Sequence, residues 1–193
     1  MTSWDEFKRS GIFLNCLQRL KWDSLLNVGC GKGQVLVGLK ALFPNRRLVG
    51  LDLDPEMAEA SKAKGFEAFV GDACDMKAFD DRSFDAVVSP QVIEHVPSEA
   101  VFLEETARVL RPGGLACIST VFKRKWGFWI YGGKLDPTHL HEYSNDSELL
   151  PFFGKAGLNV IGSEKLRIWR KGFVPVPGFF NWRIVALNGK RNA

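Results

Sequence analysis

Three glycines at alternate positions, Gly29, Gly31 and Gly33, constrain this chain more than any other feature. They follow the short apolar run 24–28 and precede an amphipathic segment, 34–43. This order predicts a buried strand, a tight loop and the start of a helix. Glycine tolerates a positive φ angle, and without a Cβ it lets a ligand lie against the backbone. The helix that follows would present unpaired N–H groups to that ligand.

A second apolar run, 47–51, ends in an acid, Asp52. An acid roughly twenty residues after the loop suits a ribose, because a carboxylate can accept hydrogen bonds from both hydroxyls. The glycine spacing is G-x-G-x-G, however, whereas dinucleotide-binding loops have G-x-G-x-x-G. Together the two features predict a nucleotide-like cofactor without identifying it.

Three further segments follow in the order of an α/β domain. The segment 69–73 predicts a third strand that ends in Asp72, and 83–89 predicts a fourth. A helix that ends in the Leu-Arg-Pro-Gly-Gly run 110–114 leads into a fifth strand, 115–120. Beyond these, the pattern predicts a first helix, a late helix capped by Ser144 or Asn145, and two last strands, at 4–20, 145–156, 159–167 and 181–187.

Taken in order, these motifs resemble those of the class I S-adenosylmethionine-dependent methyltransferases, in particular the small-molecule group called type 11 or 12. The resemblance covers 25–120 and, more loosely, 136–160. It implies an α/β, Rossmann-like fold: a doubly wound, mainly parallel sheet of seven strands, the last antiparallel, with helices on both faces. It also implies S-adenosyl-L-methionine as cofactor, S-adenosyl-L-homocysteine as product, and methylation as the reaction.

Ligands of such sheets bind at the carboxyl ends of the strands, where these motifs lie. The resemblance implies that the methionine end of the cofactor lies close to the backbone of the glycines. It also implies that Asp52 binds the ribose and that Asp72 with the Ala73 backbone binds adenine. Alternatively, Asp72 forms a plain turn, and Asp52 caps the next helix, although Asp54 is better placed to do so. The predicted cofactor-binding residues are Asn27, Gly29, Cys30, Gly31, Gly33, Asp52, Leu53, Asp72, Ala73, Ser89 and Gln91.

One position departs from the family pattern. Many members carry an acid two residues before the first glycine, and this chain has Asn27 there. An asparagine can still accept a hydrogen bond, but it brings no charge to face the ammonium group of the cofactor. We therefore expect weaker electrostatic complementarity at Asn27, with binding retained.

Three histidines are the candidate catalytic residues: His95 in the intact Glu-His-Val motif, and His139 and His141 in the segment 136–143. That segment resembles the H-x-x-E-Y/F stretch that borders the acceptor pocket in many small-molecule members. Methyl transfer from a sulfonium is an in-line displacement that depends on alignment, and a base adds ~10²–10⁴-fold where the nucleophile is a hydroxyl. His139 is the first candidate for a base or acceptor-orienting residue. Each histidine could instead cap, pack or orient its loop.

The segment 122–134 is unusual, with three consecutive cations before four aromatic residues. As a lid it would close over the acceptor. Alternatively, it packs its aromatics on the domain, rests on a membrane surface, or binds RNA. Residues 121–193 contain 12 Lys and Arg against 5 Asp and Glu, whereas residues 1–120 contain 14 against 17. The excess of positive charge favours an anionic acceptor.

The length of 193 residues predicts one domain: a helix in 1–23, the cofactor-binding core in 24–120, and acceptor-side elements with the last two strands in 121–193. The four cysteines are scattered and the histidines are not clustered, so neither a metal site nor a disulfide framework is expected. Free thiols indicate the cytoplasm. No run is long enough to span a membrane, and the N-terminus lacks a signal-peptide core.

The sequence thus predicts a cytoplasmic S-adenosylmethionine-dependent methyltransferase that acts on a small-molecule, lipid-linked or sugar-linked, anionic acceptor through oxygen. An RNA or protein methyltransferase is one alternative, although no Asn-Pro-Pro-Tyr-type motif follows the fourth strand. A non-catalytic cofactor-binding protein is another, and a dehydrogenase is a third. Nucleic acid is not expected as a partner.

Overall fold

A computed structural model describes residues 3–8, 11–123, 136–170 and 174–189. Within these residues, seven strands are joined in one sheet. The strands are β1 (Ser24–Val28), β2 (Arg47–Asp52), β3 (Glu67–Val70), β4 (Phe84–Pro90), β5 (Leu110–Lys123), β6 (Leu158–Arg170) and β7 (Val174–Asn188). The helices are α1 (Ser3–Lys8), α2 (Gly11–Arg19), α3 (Gln34–Leu42), α4 (Pro55–Lys62), α5 (Glu99–Val109) and α6 (Leu150–Ala156), with a 3₁₀ turn at Asp146–Glu148.

The strand order is β3-β2-β1-β4-β5-β7-β6. The first five strands in the chain pair in parallel, and β7 runs antiparallel to both β5 and β6. This arrangement confirms the predicted fold. Because β1 has β2 on one side and β4 on the other, the direction of winding reverses at β1. The carboxyl ends of these three strands therefore flank the crevice in which such sheets bind ligands.

The core fills both faces of the sheet. Neighbouring residues of β1 point to opposite faces, so Leu25 packs with the α2 and α3 side while Leu26 packs with the α5 and α6 side. Phe13 of α2 and Phe153 of α6 are among the fully buried side chains on those two sides. A strand buried on both faces has a continuous apolar sequence. That is why the short run before the glycines predicts β1 so closely.

Several predicted elements differ from the structure. The strands β5 and β7 begin at Leu110 and Val174, earlier than the predicted 115 and 181. The first helix is described as α1 and α2, and residues 9 and 10 between them lie outside the described part of the chain. The late helix begins at Leu150, so the prediction of a cap at Ser144 or Asn145 is wrong. Pro151 occupies the first turn, where a missing N–H costs nothing, and the preceding residues form the 3₁₀ turn instead.

The basic aromatic segment 122–134 lies outside the described residues from position 124 onward. Among the helices that are described, none combines the length and the apolar character needed to cross a bilayer.

Candidate functional site

A cavity of about 250 Å³ opens at the carboxyl ends of β1, β2 and β4. Part of its lining consists of residues that the sequence predicts for the site: Gly29, Asp52, Leu53, Asp72, Ala73, Gln91 and His95. The rest consists of residues that the prediction missed: Val28, Leu51, Gly71, Val92, Val96 and Pro97. The missed residues are mostly apolar, and no motif distinguishes an apolar wall residue from a core residue.

The glycine loop combines tight packing with open space. A Cβ on Gly33 would lie 2.7 Å from Ser61 Oγ of α4, and one on Gly29 would lie 2.3 Å from Val92 Cγ2. Gly31 has a φ angle of +53°, and a Cβ there would meet no described atom within 4 Å. Gly29 and Gly33 thus allow close packing, whereas the backbone of Gly31 is open to a ligand.

Asp52 is held by the loop that it faces. Its Oδ2 accepts a hydrogen bond from the Gly31 N–H at 2.7 Å, and its Oδ1 accepts one from the Asp54 N–H at 3.0 Å. Asp54 in turn caps α4 by accepting from the Glu56 N–H at 2.8 Å, as the sequence predicts. An ionised carboxylate has about four acceptor positions, so Asp52 retains capacity for a ligand.

Asp72 follows β3 and also lines the cavity. Its Oδ1 accepts a hydrogen bond from the Cys74 N–H at 2.7 Å, which closes a turn. Such a turn was predicted from the sequence as the alternative to adenine binding. The turn uses one carboxylate oxygen and leaves the other for a ligand donor such as an amine. The structural and ligand-binding roles of Asp72 are therefore compatible.

Five of the predicted cofactor-binding residues lie beside the cavity rather than in its lining: Gly31 and Gly33 of the loop, and Asn27, Cys30 and Ser89. Asn27 is fully buried in β1, and its Nδ2 donates to the Val88 carbonyl at 3.2 Å. The Cys30 side chain is buried, and burial raises the pKa of its thiol to about 11, so it stays protonated at neutral pH. Ser89 is buried as well. Position 50 requires glycine, because a Cβ there would lie 2.7 Å from Cys30 Sγ.

Two remote segments meet next to the cavity. The Glu94 carbonyl, in the loop after β4, accepts hydrogen bonds from the Leu140 and His141 N–H groups at 2.7 and 3.1 Å. Gln91 starts that loop with a φ angle of +57°, which costs a residue with a side chain about 1–2 kcal/mol. These contacts bring the histidine-bearing segment 136–143 next to His95, which lines the cavity, whereas no residue of the segment itself belongs to the lining.

The meeting of these segments places two histidines in contact. The rings of His95 and His139 have centroids 4.9 Å apart and are inclined by 70°. His139 Nδ1 lies 2.9 Å from Glu142 Oε1, and Lys123 Nζ lies 2.8 Å from the other oxygen of that carboxylate. His95 Nδ1 lies 3.3 Å from the Thr138 carbonyl oxygen. His139 and Glu142 are both buried, so this pair is shielded from water.

His141 occupies a different environment. Its Nε2 lies 3.0 Å from the Val96 carbonyl and its Nδ1 lies 3.2 Å from Glu99 Oε1. The same Glu99 oxygen accepts a hydrogen bond from the Tyr143 hydroxyl at 3.2 Å, and burial raises the pKa of Tyr143 well above its usual range. His141 therefore anchors the segment to α5. The sequence includes Glu142 in the H-x-x-E-Y/F stretch, but the prediction assigned it no role in the site.

The residues present fit an adenosyl cofactor. Two carboxylates at adjacent strand ends, Asp52 and Asp72, offer acceptors to a ribose diol and to an exocyclic amine. The open side of Gly31 allows a chain to pass against the backbone. The acidic lining also suits a ligand that carries positive charge.

Several known proteins resemble this chain in sequence or in fold. A family model described as "Methyltransferase domain" matches residues 26–118. A demethylmenaquinone methyltransferase of Staphylococcus aureus is 30% identical over 182 residues, which are 88% of this chain and 73% of that protein. A SAM-dependent methyltransferase from Methanosarcina mazei superimposes with a TM-score of 0.72 at 19% identity, over 90% of this chain and 96% of that one.

A second solved structure has the same fold. A geranyl diphosphate C-methyltransferase from Streptomyces coelicolor, in complex with Mg²⁺, geranyl diphosphate and S-adenosyl-L-homocysteine, has a TM-score of 0.66 at 17% identity. The match covers 86% of this chain and 71% of that one.

Proposed function

Since this chain belongs to the class I S-adenosylmethionine-dependent methyltransferases and uses that cofactor as methyl donor, we propose that it methylates a hydroxyl oxygen of a small molecule, with His139 as proton acceptor. The observation that carries this proposal is the buried pair of His139 and Glu142, 2.9 Å apart, next to His95 in the cavity wall. An imidazole held in this way is suited to take a proton from a neighbouring hydroxyl.

The chemical step needs alignment and one proton acceptor. When bound, S-adenosylmethionine supplies a methyl group on a sulfonium, which is an activated leaving group. Asp52 and Asp72 would hold the cofactor, and the acceptor oxygen would take the methyl group while the electron pair of the carbon–sulfur bond goes to sulfur. The hydroxyl proton passes to the imidazole of His139. The walls of the cavity contribute by holding the reactants in line, an effect worth up to ~7–11 kcal/mol in well-oriented reactions.

Glu142 determines which nitrogen of His139 takes part. A carboxylate at Nδ1 favours the form in which Nδ1 carries hydrogen, and Nε2 is then the atom that accepts the proton. Lys123 Nζ contacts the same carboxylate at 2.8 Å and helps to hold it in position. His139 is thus oriented by a charged group that itself has a fixed position.

The class of acceptor is proposed from the charge of the chain and from the activities of its relatives. The excess of Lys and Arg after residue 120 supports an anionic acceptor, including a lipid-linked or sugar-linked one, handled in the cytoplasm. The second candidate reaction is methylation of a ring carbon in a hydroxylated aromatic acceptor, because several relatives are demethylmenaquinone methyltransferases. Both reactions need a hydroxyl proton to leave, so His139 has the same role in each.

The test is a methyl-transfer assay with labelled S-adenosylmethionine and a panel of hydroxylated acceptors, including naphthols, hydroquinones and their anionic derivatives. Mass spectrometry and NMR of the product identify the methylated atom. His139→Gln should lower the rate by about 10²–10⁴-fold while calorimetry shows unchanged affinity for S-adenosylhomocysteine. Leu140→Ala is the matched control, since its side chain is exposed in the same segment. An undiminished rate in His139→Gln would refute the proposed role.

A further inference from the structure

We infer that Glu94, His95 and His139 form a binding site for a zinc ion. Each of these residues offers one ligand atom, and the three atoms lie within 4.8 Å of one another. Two imidazoles and a carboxylate suit Zn²⁺, whereas Mg²⁺ prefers oxygen ligands in an octahedron. Three protein ligands also match the composition of catalytic zinc sites, in which the fourth position is left to water or substrate.

The surroundings of the two histidines support this inference independently. A metal-binding histidine usually donates the N–H of its other ring nitrogen to a carboxylate or a backbone carbonyl. His139 Nδ1 faces the Glu142 carboxylate at 2.9 Å, and His95 Nδ1 faces the Thr138 carbonyl at 3.3 Å. Both rings are therefore oriented so that Nε2 would be the ligand atom. His141 differs, because a carboxylate and a carbonyl face its two nitrogens.

To bind zinc, the three ligand atoms must move closer to one another. Zinc–nitrogen bonds of ~2.0–2.1 Å place tetrahedral ligand atoms about 3.3 Å apart, so the atoms must approach by up to about 1.5 Å. His95 is exposed and can supply this movement by rotation of its side chain. Glu94 and His139 are buried, and the hydrogen bonds of the Glu94 carbonyl to residues 140 and 141 already hold their segments together.

Zinc at this site would occupy the nitrogen that receives the proton in the proposed reaction. Metal and proton compete for the same electron pair on His139. Zinc should therefore inhibit methyl transfer, and this consequence, unlike binding itself, rests on the proposed function. Because His95 lines the cavity, the bound ion would face the acceptor side.

The experiment titrates the metal-free full-length protein with ZnCl₂ in a calorimeter and with CoCl₂ in an absorption spectrometer. We expect one ion per chain and visible Co²⁺ bands of a four-coordinate site. His95→Ala, His139→Ala and Glu94→Gln should each lower zinc affinity at least tenfold, and Glu142→Gln should lower it by about 10–100-fold. Leu140→Ala is the matched control, because its side chain is exposed in the same segment, and it should bind zinc like the parent protein.

Each outcome decides a separate point. Absence of zinc binding, or equal binding by the parent and His95→Ala, would overturn the inference. His95→Ala remains informative even if a change at buried Glu94 prevents folding, because His95 is exposed. Zinc binding without inhibition of methyl transfer would keep the metal site and reject His139 as the proton acceptor.

Discussion

The Asp52 carboxylate accepts a hydrogen bond from the Gly31 N–H at 2.7 Å. This contact joins the end of β2 to the loop that follows β1. The acid expected to bind the ribose therefore also fixes the backbone past which the rest of the cofactor should run. Loss of that carboxylate would affect the cofactor twice, through the missing ligand contact and through the released loop.

Asp52→Ala should accordingly lower the affinity for S-adenosylhomocysteine by at least tenfold. Hydrogen bonds to a charged group are worth about 1.5–3 kcal/mol, and one factor of ten in affinity is about 1.4 kcal/mol. Isothermal titration calorimetry measures the change. Asp54→Ala is the control: it removes the cap of α4, should cost about 1 kcal/mol of folding stability, and should leave the affinity unchanged. Equal affinities for the parent and Asp52→Ala would contradict the ribose role.

Gly31 and Gly33 should respond differently to alanine. A Cβ at position 33 would contact Ser61 Oγ at 2.7 Å with a φ angle of +75°, so Gly33→Ala should lower the free energy of unfolding by about 2 kcal/mol or more. Gly31→Ala meets open space and should cost only the ~1–2 kcal/mol of its backbone conformation.

Gly33→Ala should lose more stability, whereas Gly31→Ala should lose more affinity for S-adenosylhomocysteine. The new methyl group of Gly31→Ala would occupy the space beside the loop backbone, so this variant should lose S-adenosylhomocysteine binding although it is the less destabilised of the two in urea. If Gly31→Ala binds normally, the cofactor does not pass this side of the loop.

Cys30 should make stability depend on alkaline pH. Burial raises the pKa of its thiol from 9.0 to about 11, so between these values the folded chain retains a proton that the unfolded chain releases. The free energy of unfolding should therefore fall as pH rises through this window. Cys30→Ser removes the titrating group, and its stability relative to the parent should improve as pH increases from 9 to 11. Parallel pH profiles in chemical denaturation would contradict this assignment.

The bounds of a helix or strand were predictable where neighbouring residues alone determine them. β1 matched its prediction at both ends, Ser24 and Val28, because an apolar run before glycine has no competing interpretation. The start of α6 was missed because Ser144 and Asn145 are good caps, whereas Pro151 sets the first turn. In that case a backbone constraint within the helix outweighed the capping signal.

The candidate site likewise has parts that local motifs predict and parts that depend on the tertiary structure. The glycine loop and the acids at strand ends are local motifs, and their common position follows from the parallel sheet. The contact between His95 and His139 depends on how the segment 136–143 docks on the loop after β4, which is set by backbone hydrogen bonds of Glu94. No local pattern encodes that docking, so the sequence alone could not place these two histidines side by side.

Glu142→Gln should lower the rate of methyl transfer without changing the affinity for the cofactor. The change keeps the size of the side chain and removes the charge that orients His139 at 2.9 Å and offsets the proton it receives. Lys123→Met removes a second charged contact of Glu142, whose own side chain is only 3% exposed. Its effect should be smaller, because the carboxylate retains its contact with His139. Steady-state kinetics should show the two losses in kcat rather than in KM for the cofactor. A Lys123→Met variant as impaired as Glu142→Gln would instead place the functional charge on the lysine, where it could bind an anionic acceptor directly.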